Sequence, residues 1–174
     1  PNVACWLLYS SQANETLVLE SSSSSGSYYL YGYDADDGDS RWNNNNGWAS
    51  NHHGGHVQRA AIIGDKVYLY PTARYLSNGN SAGSVPRGSC NTTVAIGNTR
   101  VWRADVSPDL PGYLGDISMW DSVNDTWTGW QAIRPSCWVN VITGGSMVLA
   151  PEGSGGCTCQ VYINSSVGFI PKNN

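Results

Sequence analysis

The chain has 174 residues, of which only 13% are charged, about half the usual share for a soluble domain. Its formal net charge of -4 offers no phosphate-seeking surface and excludes a basic nucleic-acid binder, while 20 Gly and 8 Pro exclude a coiled coil. No apolar run approaches the ~20 residues that a bilayer crossing requires, so a membrane-spanning helix is not expected.

In chain order, the elements read as short strands joined by tight turns. Cys5-WLLYSSQANET-Leu17-VLE predicts a hairpin with a long turn, and Ser21 to Ser25 reads as a low-complexity loop tip. Residues 28–33, YYLYGY, predict a strand. Asp34, Asp36, Asp37 and Asp39 then crowd around Gly38 ahead of a strand ending at Trp42. This spacing lacks the alternate ligands and closing Glu of an EF-hand, so it reads as a solvated turn.

Three later segments share one pattern: Val57-QRAAII-Gly64-DKVYLY, Cys90-NTTVAI-Gly97-NTRVWR and Cys137-WVNVIT-Gly144-GSMVLA. Each has an apolar run, a Gly-led turn and a second apolar run, as tight hairpins require. Gly64, Gly97 and Gly144 are expected in matching turns. DISMWD, WTGW, CQVYI and VGFIP supply further strands. The repetition predicts an all-β chain built as a β-propeller, with about four four-stranded antiparallel blades near 1–50, 51–88, 89–134 and 135–174 in one domain. Four such blades form half of an eight-bladed ring or a small closed ring.

Tyr33-Asp34-Ala-Asp-Asp-Gly38-x-x-x-Trp42 resembles the blade ending of pyrroloquinoline-quinone (PQQ) repeat propellers, the quinoprotein alcohol dehydrogenase-like family. The stretches from Asn51 and from Arg134 to Gln160 are similar to the C-terminal portion of such proteins. The resemblance implies a propeller and places Trp42 and Trp138 in its core. PQQ in that family stacks on an adjacent-cysteine disulfide. Here Thr158 separates Cys157 from Cys159, so the cofactor apparatus does not carry over and no cofactor is expected.

Cys5, Cys90, Cys137, Cys157 and Cys159 point to an oxidising compartment. Cys90, Cys137, Cys157 and Cys159 are expected to form two disulfides: either Cys90 pairs with Cys137, or each meets one of Cys157 and Cys159. Cys5 is the candidate odd thiol. Sequons stand at Asn14, Asn91, Asn124 and Asn164. Asn14 and Asn124 fall in predicted turns and are the better glycosylation candidates. His52, His53 and His56 form a cluster able to bind Cu²⁺ or Zn²⁺, set against a plain polar loop. Trp127 and Trp130 are the candidate exposed pair for stacking on sugar rings. Glu occurs only as Glu15, Glu20 and Glu152, and no catalytic residue emerges.

These readings converge on a secreted (periplasmic, if bacterial) non-catalytic propeller module with a structural or interaction role. Open blade faces predict a homo-oligomer or polymer, or a missing half of the same propeller, as partner. A carbohydrate-binding, lectin-like propeller is the alternative, with a degenerate quinoprotein dehydrogenase a third reading.

Overall fold

The computed structural model describes residues 2–10, 15–23, 27–48, 59–85, 93–103, 117–130, 141–151 and 166–170, and every regular element among them is a strand. Among the described residues no helix is long and apolar enough to cross a membrane. The chain divides into two compact units, Pro1–Arg87 and Gly88–Asn174.

The first unit contains two four-stranded antiparallel meanders. One comprises β1 (Asn2–Ser10), β2 (Thr16–Ser23), β3 (Ser27–Asp34) and β4 (Ser40–Trp48). The other comprises β5 (Ala61–Ile63), β6 (Lys66–Tyr68), β7 (Thr72–Tyr75) and β8 (Ser81–Ser84). Successive side chains of a strand point to opposite faces, and burial alternates accordingly from Thr16 to Glu20 on β2 and from Ser27 to Tyr33 on β3. Val18, Glu20, Tyr28 and Leu30 are buried, while Leu17, Leu19, Tyr29, Tyr31 and Tyr33 are half-buried on the other face. The buried face meets Ala60, Val67, Leu69 and Leu76 of the second meander in one apolar core.

Polar side chains stitch that core shut. The run Asn43 to Asn46 alternates across β4, so that Asn43 and Asn45 face solvent while Asn44 and Asn46 face the second sheet. Asn46 Nδ2 donates to Leu69 O at 2.8 Å and Asn44 Nδ2 to Gly79 O at 3.0 Å. Arg74 Nε donates to Asn46 Oδ1 at 2.7 Å. Trp42 Nε1 donates to Leu76 O at 2.7 Å, which lets a large indole enter the core with its polar atom satisfied. The indole lies over Gly32, its register partner on β3. A methyl group at Gly32 would overlap the six-membered ring and Nε1 of Trp42.

The second unit holds β9 (Val94–Ile96), β10 (Thr99–Arg103), β11 (Ile117–Asp121) and β12 (Thr126–Trp130) in one meander, and β13 (Ile142–Gly144), β14 (Met147–Ala150) and β15 (Val167–Phe169) in a three-stranded one. Val101 and Ile117 of the former pack on Val148 and Ala150 of the latter, together with Val141.

This architecture corrects the propeller expectation. The strands form four separate small antiparallel sheets, none closed into a ring or curled on itself. The hairpin repeat is a local signal: it dictates which strands pair, and it does not dictate a radial arrangement of sheets. The PQQ-like identity falls with the propeller, and so does association through the open ends of a half-ring.

Two local readings are also revised. β2 continues through Ser23, with Ser21 paired to Tyr29 and buried, so the serine run is not wholly a loop tip. Gly64 and Gly97 open their turns with φ of 59° and 54°, but Gly144 ends β13 opposite Met147. Its turn is formed by Gly145 (φ 56°) and Ser146 (φ 60°).

Replacing Gly32 by Ala should destabilise the chain by about 2–3 kcal/mol in urea unfolding, because a filled site must push the Trp42 ring aside. In a Trp42→Phe background, where the smaller ring leaves room, the same substitution should cost clearly less. An equal cost in both backgrounds would show that Trp42 is not what Gly32 accommodates.

Candidate functional site

The two sheets of the second unit do not close fully on each other; between them lies a cleft of about 600 Å³. Ile96, Thr99, Met119, Thr128 and Trp130 line it from one sheet. The register accounts for this set: Ile96 opposes Thr99, Met119 opposes Thr128, and Trp130 opposes Ile117 on the core-facing side. From the other sheet and its turn come Thr143, Gly144, Ser146, Met147, Val148, Phe169 and Ile170. Trp130 and Phe169 meet across the gap with ring centroids 4.3 Å apart and planes tilted by 34°.

The lining has a definite chemistry. None of its described residues is ionisable. It contains the chain's only Phe and both of its Met. Thioether sulfur is polarisable and makes favourable contacts with aromatic rings. Thr99, Thr128, Thr143 and Ser146 bring hydroxyls that both donate and accept hydrogen bonds. Ile96 and Met147 are each 38% exposed and Ile170 is 72% exposed, so the apolar surface reaches solvent. The volume falls within the range of small-molecule sites. Among the described lining residues, these four hydroxyls are set in a largely apolar wall.

The opposite face of the same sheet carries a stack of different character. The Arg100 guanidinium lies 4.3 Å from the Trp102 ring centroid, a cation–π contact. Trp102 meets Trp127 edge-on at 5.7 Å, and Trp127 meets Trp120 at 5.9 Å. Trp120 Nε1 donates to Asp125 Oδ1 at 2.9 Å. Trp127 and Trp130, expected as one exposed pair, therefore lie on opposite faces of β12. The odd separation of three positions in a strand dictates this.

The acidic turn is held internally. Asp34 Oδ1 accepts from Asp36 N at 3.0 Å, and Asp37 Oδ1 accepts from Asp39 N at 2.9 Å. Arg41 donates to Asp34 Oδ2 through Nε and Nη2. The Asp36 amide, then Arg41, hold the Asp34 carboxyl below the ordinary carboxylate value. Asp121 is lowered likewise, first by Asn124 Nδ2, which donates to it at 2.8 Å, and then by the Val123 and Asn124 amides. Among the described residues no group of three or more His, Cys, Asp or Glu is placed to hold a metal ion.

Of the other expected site residues, Asn124 sits exposed in the β11–β12 turn, and Cys5 lies on β1 opposite Ser21. Asn14, His52, His53, His56, Cys90, Asn91, Cys137, Cys157, Cys159 and Asn164 fall outside the described residues. The expectations of disulfides, of metal binding and of glycosylation at Asn14, Asn91 and Asn164 fall outside with them. Sequence reasoning missed Met119, Met147 and Phe169. Their scarcity, two Met and one Phe in the whole chain, was the available signal.

No protein-family model matches the chain, and no curated protein matches it. The quinoprotein resemblance therefore has no support from whole-sequence comparison. The propeller-module roles built on it, whether structural, lectin-like or enzymatic, go with it.

A group with a lowered folded-state pKa stabilises the fold above its unfolded value and loses that contribution as pH falls through the folded value. Stability should therefore decline on acidification below about pH 4, the ordinary Asp value. In urea titrations at a series of pH values, the double variant Asp34→Asn/Asp121→Asn should show a shallower acid decline than the parent. Superimposable acid limbs would mean that the two turns contribute nothing there.

Proposed function

We propose that the second unit is a binding module for a small, uncharged, largely apolar ligand carrying an aromatic ring, held in the cleft between its two sheets. One observation carries the reading: an open cleft of about 600 Å³ with no ionisable side chain among its described lining residues, flanked by Trp130 and Phe169 and lined by both methionines. An ionic ligand would find no counter-charge there and would lose its hydration uncompensated. A neutral ring replaces water against thioether and aromatic surface, and the threonine hydroxyls orient any polar substituent.

The neutral fluorophore N-phenyl-1-naphthylamine should bind saturably, with a blue-shifted, enhanced emission. Trp130→Ala should weaken it by about tenfold or more, the loss of a buried aromatic contact. Thr143→Arg, which puts a charge into the wall, should abolish it. Absence of saturable binding by the folded parent protein, or binding indifferent to both substitutions, would remove the reading.

We further propose an oxidising setting outside the cytoplasm for the chain. Five cysteines and four sequons in a charge-poor sequence support it, with Asn124 exposed in a turn. From a eukaryotic host, peptide mapping should find Asn14 or Asn124 glycosylated and Cys90, Cys137, Cys157 and Cys159 protected from alkylation. Bare sequons with freely alkylated cysteines would rule the setting out.

A further inference from the structure

Glu20 is a carboxylic acid where the β2 pattern calls for an apolar residue. It follows Val18 on the core-facing side of the strand and opposes Leu30 of β3. Its exposure is 1%. Oε2 accepts the Ala60 amide proton at 2.6 Å, reaching from the first sheet to the residue just before β5 of the second. Oε1 has no hydrogen-bond partner among the described residues. Packing alone would be served better by Leu, and the hydrogen bond alone by Gln. What a carboxylic acid adds is a proton that can leave.

The surroundings disfavour the ion. Leu30 and Tyr28 lie on the same face of β3, and Ala60, Val67 and Leu69 of the second sheet border the same core. Tyr28 brings a neutral phenol. From the second sheet's side the opposing charge is Arg59, next to Ala60 in the chain, whose attraction ranks behind burial and the amide hydrogen bond. A carboxylate formed here leaves Oε1 charged in an apolar core, a state relieved by admitting water between the sheets.

We propose that Glu20 is a proton-operated latch within the first unit: the neutral acid lets β2 close on the Ala60 segment, and loss of the proton loosens that closure. Burial, as the largest cause, raises the Glu20 pKa from 4.5 to about 8. Because the folded value is raised, the contribution to stability is fully present below about 4.5, is lost progressively as pH rises to about 8, and is flat beyond. The unit is therefore tightest in acid and loosens through neutrality.

The chain has three glutamates, so a carboxyl-¹³C-Glu NMR titration of the intact protein resolves the question directly. The Glu20 carboxyl should titrate between about pH 7 and 9. The Ala60 amide should lose protection from hydrogen exchange by about tenfold or more between pH 5.5 and 8.5, beyond the intrinsic pH dependence of exchange. In Glu20→Gln, Ala60 protection should not change with pH and the unfolding midpoint should be level across that window. Three carboxyls titrating in the ordinary range in the parent protein would overturn the proposal, even if Glu20→Gln failed to fold. So would an Ala60 protection factor that does not depend on pH.

Discussion

A short meander sheet has one apolar face, and the need to cover that face governs everything else in this molecule. Strands of three to nine residues cannot build a core within a single sheet. Each unit accordingly sets two sheets face to face, Val18 and Leu30 against Val67 and Leu76 in the first, Val101 and Ile117 against Val148 and Ala150 in the second. Burial of these faces supplies the driving force. The turns and polar stitches decide how completely the faces can meet.

The two units answer that question differently. In the first, donors from β4 reach across the sheet interface: Trp42, Asn44 and Asn46 each give a hydrogen bond to a backbone carbonyl beyond their own sheet. Backbone carbonyls in a tight interface require partners, so these bonds permit close approach as well as adding stability. The second unit concentrates its side-chain polar contacts on the opposite face of the β9–β12 sheet, where Arg100 and Trp102 are buried beside Trp127 and Trp120, and in the β11–β12 turn. Its inner faces meet through Val101, Ile117, Val148 and Ala150, and one end of the interface stays open.

Local features of this fold were legible in the sequence, and non-local ones were not. Gly-Asp and Gly-Asn mark the β5–β6 and β9–β10 turns because glycine enters the left-handed region at little cost. The third turn slipped by one residue because Gly144-Gly145 offers two equivalent glycines, and pairing of Ile142 with Leu149 chooses between them. Trp127 and Trp130 are close in sequence, yet strand periodicity sets them on opposite faces of β12. The disposition of whole sheets was beyond reach. A meander's pattern of Gly turns and alternating residues is the same whether its sheets stand separately or circle an axis. Asparagine is depleted in strands, and the role of the Asn43 to Asn46 run is set by Leu69 and Gly79 opposite it.

The cleft itself can be traced to a few side chains. Hairpins β5–β6 and β13–β14 have the same register, three pairs closing on a two-residue turn. Their core-facing pair is Ile62–Val67 in the first unit and Thr143–Val148 in the second, and Ile62 packs on its core while Thr143 lines the cleft. Thr is shorter than Ile and carries a hydroxyl, so the change withdraws packing volume from the core-facing side of the hairpin. Missing volume in a core costs stability because neighbouring atoms relax only partly into it. Here the space opens to solvent beside Met119, Met147 and Trp130, where methionine's flexible side chain can adapt to an occupant. The same hairpin thus closes a core in one unit and forms the wall of a site in the other.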